Sequence, residues 1–404
     1  MGKSVVIISQ YFYPSLASTA QLMTDLAKGL AARGYQLKVF TSSSAEKNTT
    51  NDALLEVEVS RSFSLSQQNP SILYKAANSL LFLVSSLIYV TFKVHRSTPI
   101  LITSNPPYSG VIGIYFSSIK KGKFYFILQD IFPESAVLCR ILEPHSILFK
   151  LFSFLSYLTF KYSNSMVTLS QSMKEFLEKK HFKLEQKKKI RIIENWSIEA
   201  IPICEKQENE FARRYGLTET FTVLYAGNMG RLHDIESLAN TAYMLSNQPI
   251  QFIFIGNGFK RSMLENYVCN YKLTNVLLLP FQPREMIPLS LTACDVSLVS
   301  LIEGAEEIIA PCKLYGMLAA GRAILSISST GSYIEQLLND YSCGINCPPH
   351  NPQQLADTIA KLAADPERVT AMGKRARQLY EEKYTFSRAL DEYEKLLFNT
   401  ELLN

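Results

Sequence analysis

A chain of 404 residues, 47% hydrophobic and 19% charged, is too long for one ordinary core and suits two domains of roughly 200 residues each. The composition is globular and excludes both a disordered chain and a multispan membrane protein. The net charge of +5 is uneven: Lys and Arg outnumber Asp and Glu by ten over residues 1–200 and fall short by five over residues 201–404, so the two halves are expected to meet different partners.

The first apolar run, Val5 to Ile8, is too short for a signal-peptide core. The N-terminus also lacks the Ser or Thr that a myristoylation signal wants. Short β-branched runs then alternate with helical patterns. Strands are predicted over 4–9, 36–41, 99–103, 123–129, 166–169 and 190–193, and again over 222–226, 251–255, 276–279, 296–301 and 323–327. Their continuous apolar character is that of strands covered on both faces of a parallel sheet, and the alternation implies doubly wound α/β domains. Leu22, Leu26 and Leu30 share one helical face that Gly34 terminates. Pro311 opens a helix that Gly321 closes, and Asn351 with Pro352 caps another carrying Leu355, Ile359 and Leu362.

Residues 196–215 read as a linker, which divides the chain into 1–196, 197–375 and a C-terminal helical segment, 376–404, that packs back on the first domain. The seven cysteines are odd in number and lack the spacing of a zinc site, so they are read as reduced thiols. The apolar stretch Leu80 to Val90 falls short of the roughly 20 residues that a spanning helix needs.

In open α/β sheets ligands bind beyond the carboxyl ends of strands, so the loops there carry the candidates. The first holds Ser18 and Thr19, read either as an anion-facing helix start or as a helix cap. Asp130 ends an apolar strand in LQDIFPESAV; it aligns an acceptor hydroxyl, or stabilises growing positive charge, or simply caps a helix. In VLYAGNMGRLHD, Gly227, Asn228 and Gly230 follow a strand and precede Arg231, a residue suited to forked bonds to a diphosphate. His233 either assists there or is a solvated loop residue. Gly256, Gly258 and Lys260 repeat the logic in IGNGFKR. The segment IEGAEEIIAPCKLYGMLAAG places Glu303, Glu306 and Glu307 before a helix carrying Pro311, Lys313 and Leu314. A lysine in a first helical turn opposes the helix dipole, a penalty that a bound diphosphate removes.

These segments, with YFYPSLASTAQLMTDLAKGLAARGYQLKVFTS at the start, resemble retaining glycosyltransferases of family 4, in the branch that includes the WcaI and WbuB surface-polysaccharide transferases. The resemblance covers nearly the whole chain. It implies the GT-B fold, two Rossmann-like domains with the active cleft between them, and transfer with retention from a nucleotide-diphosphate sugar without a metal or other cofactor. By motif position Arg231, Lys260 and Lys313 neutralise the diphosphate and Glu306 contacts the donor sugar. Pro311 and Leu314 belong to the same donor-binding signature. Two departures stand out: Ile308 and Gly316 occupy the positions where many members carry two glutamates eight apart, and the usual glycines are absent from the first loop. A non-catalytic binding partner of the same architecture and a GT-B nucleotide-sugar epimerase are the alternatives.

Residues 79–94 and 147–162 are apolar and aromatic, with lysines at their edges, and lie in the basic half. They are read either as helices covering a sheet or as a peripheral membrane face. With an acceptor on a polyprenyl diphosphate, as the family often uses, this implies a cytoplasmic protein at the inner face of the plasma membrane. No nucleic-acid partner is expected.

Overall fold

The computed structural model describes residues 3–15, 17–42, 56–63, 65, 72–180, 187–197 and 201–398. The chain forms two compact units, Met1–Glu194 with Ser387–Asn404, and Asn195–Phe386.

The first unit is built on strands β1 (Ser4–Ile8), β2 (Gln36–Thr41), β3 (Val57–Arg61), β4 (Ile100–Thr103), β5 (Phe124–Ile127), β6 (Ser165–Thr168) and β7 (Ile190–Ile192). They lie in the order β3-β2-β1-β4-β5-β6-β7. Every pairing is parallel: Ile7 sits opposite Val39 on one side and Leu101 on the other. Helices α1 (Ser18–Ala32), α2 (Ile72–Lys93), α3 (Gly110–Lys120), α4 (Glu134–Leu138), α5 (Ile147–Tyr162) and α6 (Gln171–Lys180) accompany the strands. On α1 the sequence periodicity is realised: Leu22, Leu26 and Leu30 are fully buried. Gly34, at φ +85°, ends the helix in the left-handed region that suits glycine. Ser18 and Thr19 are not its cap. Ala17 holds that position, and the two hydroxyl residues stand in the first turn.

The second unit pairs β8 (Phe221–Ala226), β9 (Ile250–Ile255), β10 (Val276–Leu279), β11 (Val296–Ser300), β12 (Ala323–Ile327) and β13 (Gly344–Cys347) in the order β10-β9-β8-β11-β12-β13, again all parallel. Its helices are α7 (Glu210–Arg214), α8 (Ile235–Met244), α9 (Arg261–Asn270), α10 (Ile287–Thr292), α11 (Lys313–Ala319), α12 (Tyr333–Asp340), α13 (Pro352–Ala363) and α14 (Pro366–Lys383). Asn351 caps α13 by accepting the Gln354 N–H, and Leu355, Ile359 and Leu362 are buried. Helix α11 begins at Lys313, with Cys312 at the cap; Pro311 precedes it rather than opening its first turn. The two strands missing from the sequence reading, β3 and β13, are sheet edges. Edge strands need little apolar character: β3 buries only Val57, and β13 starts on a glycine, a residue normally read as strand-breaking.

The described part of 196–215 is folded rather than an open linker. Trp196 is buried with its ring centroid 5.2 Å from that of Phe386. Asn209 caps α7, and the buried Lys206 ammonium donates to Asp295 and to the Thr220 carbonyl. Helix α14 remains with the second unit, burying Val369, Met372, Ala376 and Leu379. Only the helix after it, α15 (Phe386–Phe398), passes to the first unit. There Arg33 donates to Asp391 and Glu394, and Tyr35 stacks on Phe398 at 4.5 Å. The segment 376–404 is therefore divided, because the apolar face of α14 is consumed by its own unit. All seven cysteines are free thiols.

Helix α14 meets the turn after α11 through Gly373, where a Cβ would stand 2.3 Å from the Gly321 carbonyl oxygen. Alanine in a helix interior gains about 0.5–1 kcal/mol over glycine, but overpacking against backbone that cannot swing aside costs about 1–3 kcal/mol. The clash wins, so Gly373→Ala should lower stability in a denaturant melt; an unchanged or raised midpoint would show that the helix slides at no cost.

Candidate active site

In the second sheet the strand order reverses between β8 and β11, and the carboxyl ends of strands at such a reversal form a crevice. The loops there are knitted by main-chain bonds. Gly227 N–H donates to Ile255 O at 2.8 Å, Met229 N–H to Asn257 O at 2.8 Å, and Lys260 N–H to Met229 O at 2.9 Å. Glycine is required for this approach. A Cβ on Gly256 would lie 2.2 Å from the Gly227 oxygen, and one on Gly258 would lie 2.5 Å from Asn228 Oδ1. The loop after β11 joins the same set through Ile302 N–H to Leu232 O at 3.0 Å.

Lys313 reaches into this cluster from α11. Its Nζ donates to Tyr225 Oη at 2.5 Å and lies 3.8 Å from the Tyr225 ring centroid. The phenol in turn donates to Asn228 O at 2.9 Å. No ion pair joins Lys313 to a carboxylate among the described residues. Burial without a counter-charge pulls its amine down to about 7. Gly227 makes room for the stem, since a Cβ there would stand 3.3 Å from Lys313 Cε.

Arg231 is exposed and stacks on Phe259, its Cζ 3.4 Å from the ring centroid. A stacked guanidinium keeps its in-plane donors free for an anion. Lys260 is placed differently: its Nζ donates to Glu236 Oε2 at 2.7 Å and to His233 O at 2.7 Å. Its charge is already compensated, so Lys313 and Arg231 carry the positive charge of the site. His233 is not a solvated loop residue. It is buried, with Nδ1 2.5 Å from Ser300 O. A carbonyl can only accept, so Nδ1 carries the proton. Burial, then the nearby Lys313, pushes the ring down to about 3, and the imidazole is neutral at pH 7.

Glu306 sits in a short 3-10 turn, Ala305–Glu307, after β11. It is buried, and its Oε2 has no hydrogen-bond partner. An acceptor stranded this way costs about 1–3 kcal/mol, more when charged. Pro311 and Leu314 are buried and serve to seat α11. At Gly316 a Cβ would come 3.2 Å from Leu291 Cδ1, so this side of α11 is packed rather than open.

In the first unit Asp130 follows β5. It does not cap α4, whose cap position is Pro133. Its two oxygens instead accept from Ser104 Oγ at 3.1 Å and Ser135 Oγ at 3.2 Å. Burial raises its carboxyl despite these bonds. Asp130, Ser18 and Thr19 thus belong to one unit, and all the glycine-loop residues, Lys313 and Glu306 to the other. Sequence reasoning did not single out Tyr225, whose apolar strand context concealed its polar contacts.

Residues 207–379 match the family model described as glycosyl transferases group 1. The probable glycosyltransferase WbjE of Pseudomonas aeruginosa is 24% identical over 280 residues, 68% of each chain. The putative colanic acid biosynthesis glycosyl transferase WcaI of Escherichia coli K12 is 31% identical over 99 residues, 24% of each chain. Among solved structures, Anabaena Alr3699/HepE in complex with UDP-glucose superposes with a TM-score of 0.73 at 15% identity, covering 98% of this chain and 99% of that one. The two parallel sheets with their helices are the GT-B architecture, and most of the second unit is similar to the group 1 glycosyl transferase model.

Because a carboxyl raised by burial binds its proton more tightly in the folded state, Asp130 weakens the fold as pH rises above its ordinary 3.8. Asp130→Asn should therefore melt at or above the wild-type temperature at pH 7. A clear fall would mean that the two serine bonds outweigh burial and that Asp130 is structural.

Proposed function

We propose that this chain is a group 1 glycosyltransferase that takes a hexosyl group from a nucleotide-diphosphate sugar and transfers it with retention to a glycan acceptor borne on a polyprenyl diphosphate, in the manner of family 4, during surface-polysaccharide synthesis at the cytoplasmic face of the membrane. The observation that carries the donor half is the Lys313 ammonium at the strand reversal, facing two glycine-opened loops with no carboxylate among the described residues to neutralise it. A diphosphate supplies the absent negative charge. Arg231 adds forked donors, and the stranded Glu306 oxygen accepts from a sugar hydroxyl. UDP-glucose in the similarly folded HepE supports this reading, as do the names of the relatives.

In the proposed reaction the bond from the anomeric carbon to the diphosphate oxygen breaks and positive charge grows on the sugar. The acceptor hydroxyl attacks from the face the diphosphate leaves, and its proton passes to the departing phosphate oxygen. Lys313 and Arg231 hold the negative charge of the leaving group, where electrostatic stabilisation has most leverage, so the scheme calls on no metal or cofactor. Asp130 aligns the acceptor or stabilises the developing positive charge.

The test is calorimetric titration with UDP and a panel of nucleotide sugars, followed by transfer of labelled sugar to a polyprenyl-diphosphate acceptor. No nucleotide sugar bound at all would remove the reading; binding without transfer would favour a non-catalytic partner. Lys313→Ala should weaken nucleotide binding at least tenfold in a folded protein, as loss of a charged hydrogen bond costs about 1.5–3 kcal/mol. The pH dependence has a definite sign. The unfolded lysine keeps its proton up to 10.5 while the folded one releases it near 7, so stability of the free protein rises across that window. A bound diphosphate restores the charge, so binding above pH 7 should take up protons, measured by titrating in buffers of different ionisation enthalpy. Equal proton uptake by Lys313→Met would exclude Lys313 as the source.

A further inference from the structure

We infer that the outer faces of α2, α3 and α5 form a docking surface for a bilayer leaflet containing anionic lipid. Helix α2 is apolar all round, yet only one side is covered. Phe82, Tyr89 and Val90 are buried, and Phe40 stacks against both Phe82 and Tyr89. On the solvent side Leu80, Val84, Ile88 and Phe92 recur at intervals of four, all exposed, Phe92 at 79%. At 1.5 Å per residue this stripe runs for about 18 Å.

Helix α3 lies alongside. Tyr115 Oη is 2.8 Å from Thr91 Oγ1, and Lys120 Nζ donates to the carbonyls of Val90 and Thr91 in the last turn of α2 and of Val94 just after it. Ile119, beside that lysine, is exposed. Helix α5 packs against α3, with Thr159 so close to Gly110 that a Cβ there would stand 2.1 Å from the threonine oxygen. The first half of α5 turns Leu148, Leu151 and Phe154 to solvent, next to Ile147 at 85% exposure. Phe152 and Tyr157 do not join them. Phe152 packs edge-on against Phe132 at 4.9 Å, and Tyr157 lines a small, partly open pocket with Ile131 and Pro133.

Single exposed apolar residues are ordinary, but two such stripes, on helices that both pack against α3, amount to more apolar exposure than scattered residues and are of the kind that marks a binding surface. Charge selects the occupant. Between residues 72 and 162 the sequence has nine Lys and Arg against three acidic residues; of the three, Glu134 is buried and Asp130 is held by two serines. Lys93, Arg96, Lys121, Lys150 and Lys161 are exposed. A second copy of the chain would bring like charges together, whereas an anionic leaflet accepts both the apolar stripes and the cations. Among the described residues no helix is long and apolar enough to cross a membrane, so these helices lie in the interface. The surface stands on its own geometry and rests on the proposed function only for its purpose, meeting a lipid-borne acceptor.

The test is co-sedimentation of the full chain with vesicles of phosphatidylcholine alone and of phosphatidylcholine with phosphatidylglycerol. Binding is expected to the second, weakened by high salt because screening removes the cationic share. Ile88→Ser with Phe92→Ser, and separately Leu151→Ser with Phe154→Ser, should each lower partitioning at least about tenfold, given the transfer free energy of such side chains, with unchanged melting because the residues face solvent. Absence of binding to the anionic vesicles at low salt, or full binding by both double variants, would overturn the inference. So would a dimer in sedimentation velocity that these substitutions dissociate while vesicles are ignored. UDP binding measured in parallel separates the two readings: its loss with vesicle binding intact removes the donor site and leaves the docking face standing.

Discussion

The backbones of Gly227 and Gly256 meet so closely that Gly256 has no room for a side chain, with the Gly227 oxygen 2.2 Å from where its Cβ would be. Both glycines have φ near +130°, at 131° and 132°, a region that L side chains rarely adopt. This contact draws the loops after β8 and β9 together at the reversal of strand order. It also leaves the bed in which the Lys313 stem lies. A bulkier pair of residues would part the loops and remove the Tyr225–Asn228–Lys313 chain of contacts on which the charge of the site depends.

The charge itself follows from what surrounds each cation. Lys260 and Lys313 both approach the glycine loops, but Glu236 neutralises the first while an aromatic ring and a phenol oxygen receive the second. A ring face attracts a cation without supplying a full negative charge. Lys313 therefore remains electrostatically unsatisfied, as Glu306 is in its hydrogen bonding. Paired shortfalls of opposite sign on neighbouring loops fit a ligand that is anionic at one end and rich in hydroxyls at the other.

The first unit uses the same sheet differently. Among the described residues no glycine pair at its strand ends meets as Gly227 and Gly256 do, and the carboxyl of Asp130 is held by two serine hydroxyls. Its helices carry more apolar surface than the sheet can cover. The basic excess noted in the first half of the sequence gathers around that surface, so a domain that alternates strands and helices like its counterpart presents a different exterior.

The sequence by itself determined the parallel sheets. Strands covered on both faces must be apolar throughout, and runs such as 251–255 and 323–327 leave no other reading beside their helices. It also located the glycine loops, because only glycine permits such close approach. The edge strands β3 and β13 were not legible, since β3 buries only Val57 and β13 starts on a glycine, whereas the edges β7 and β10 are mostly apolar. Tertiary structure alone decided which lysine is compensated, because Glu236 and Tyr225 reach Lys260 and Lys313 from separate elements. It decided that His233 and Trp196 are buried, and that α14 and α15 part company. It alone showed which side of α2 is bare: a helix apolar around its whole circumference has no periodicity to report its covered face, and only the neighbours that pack against it can decide.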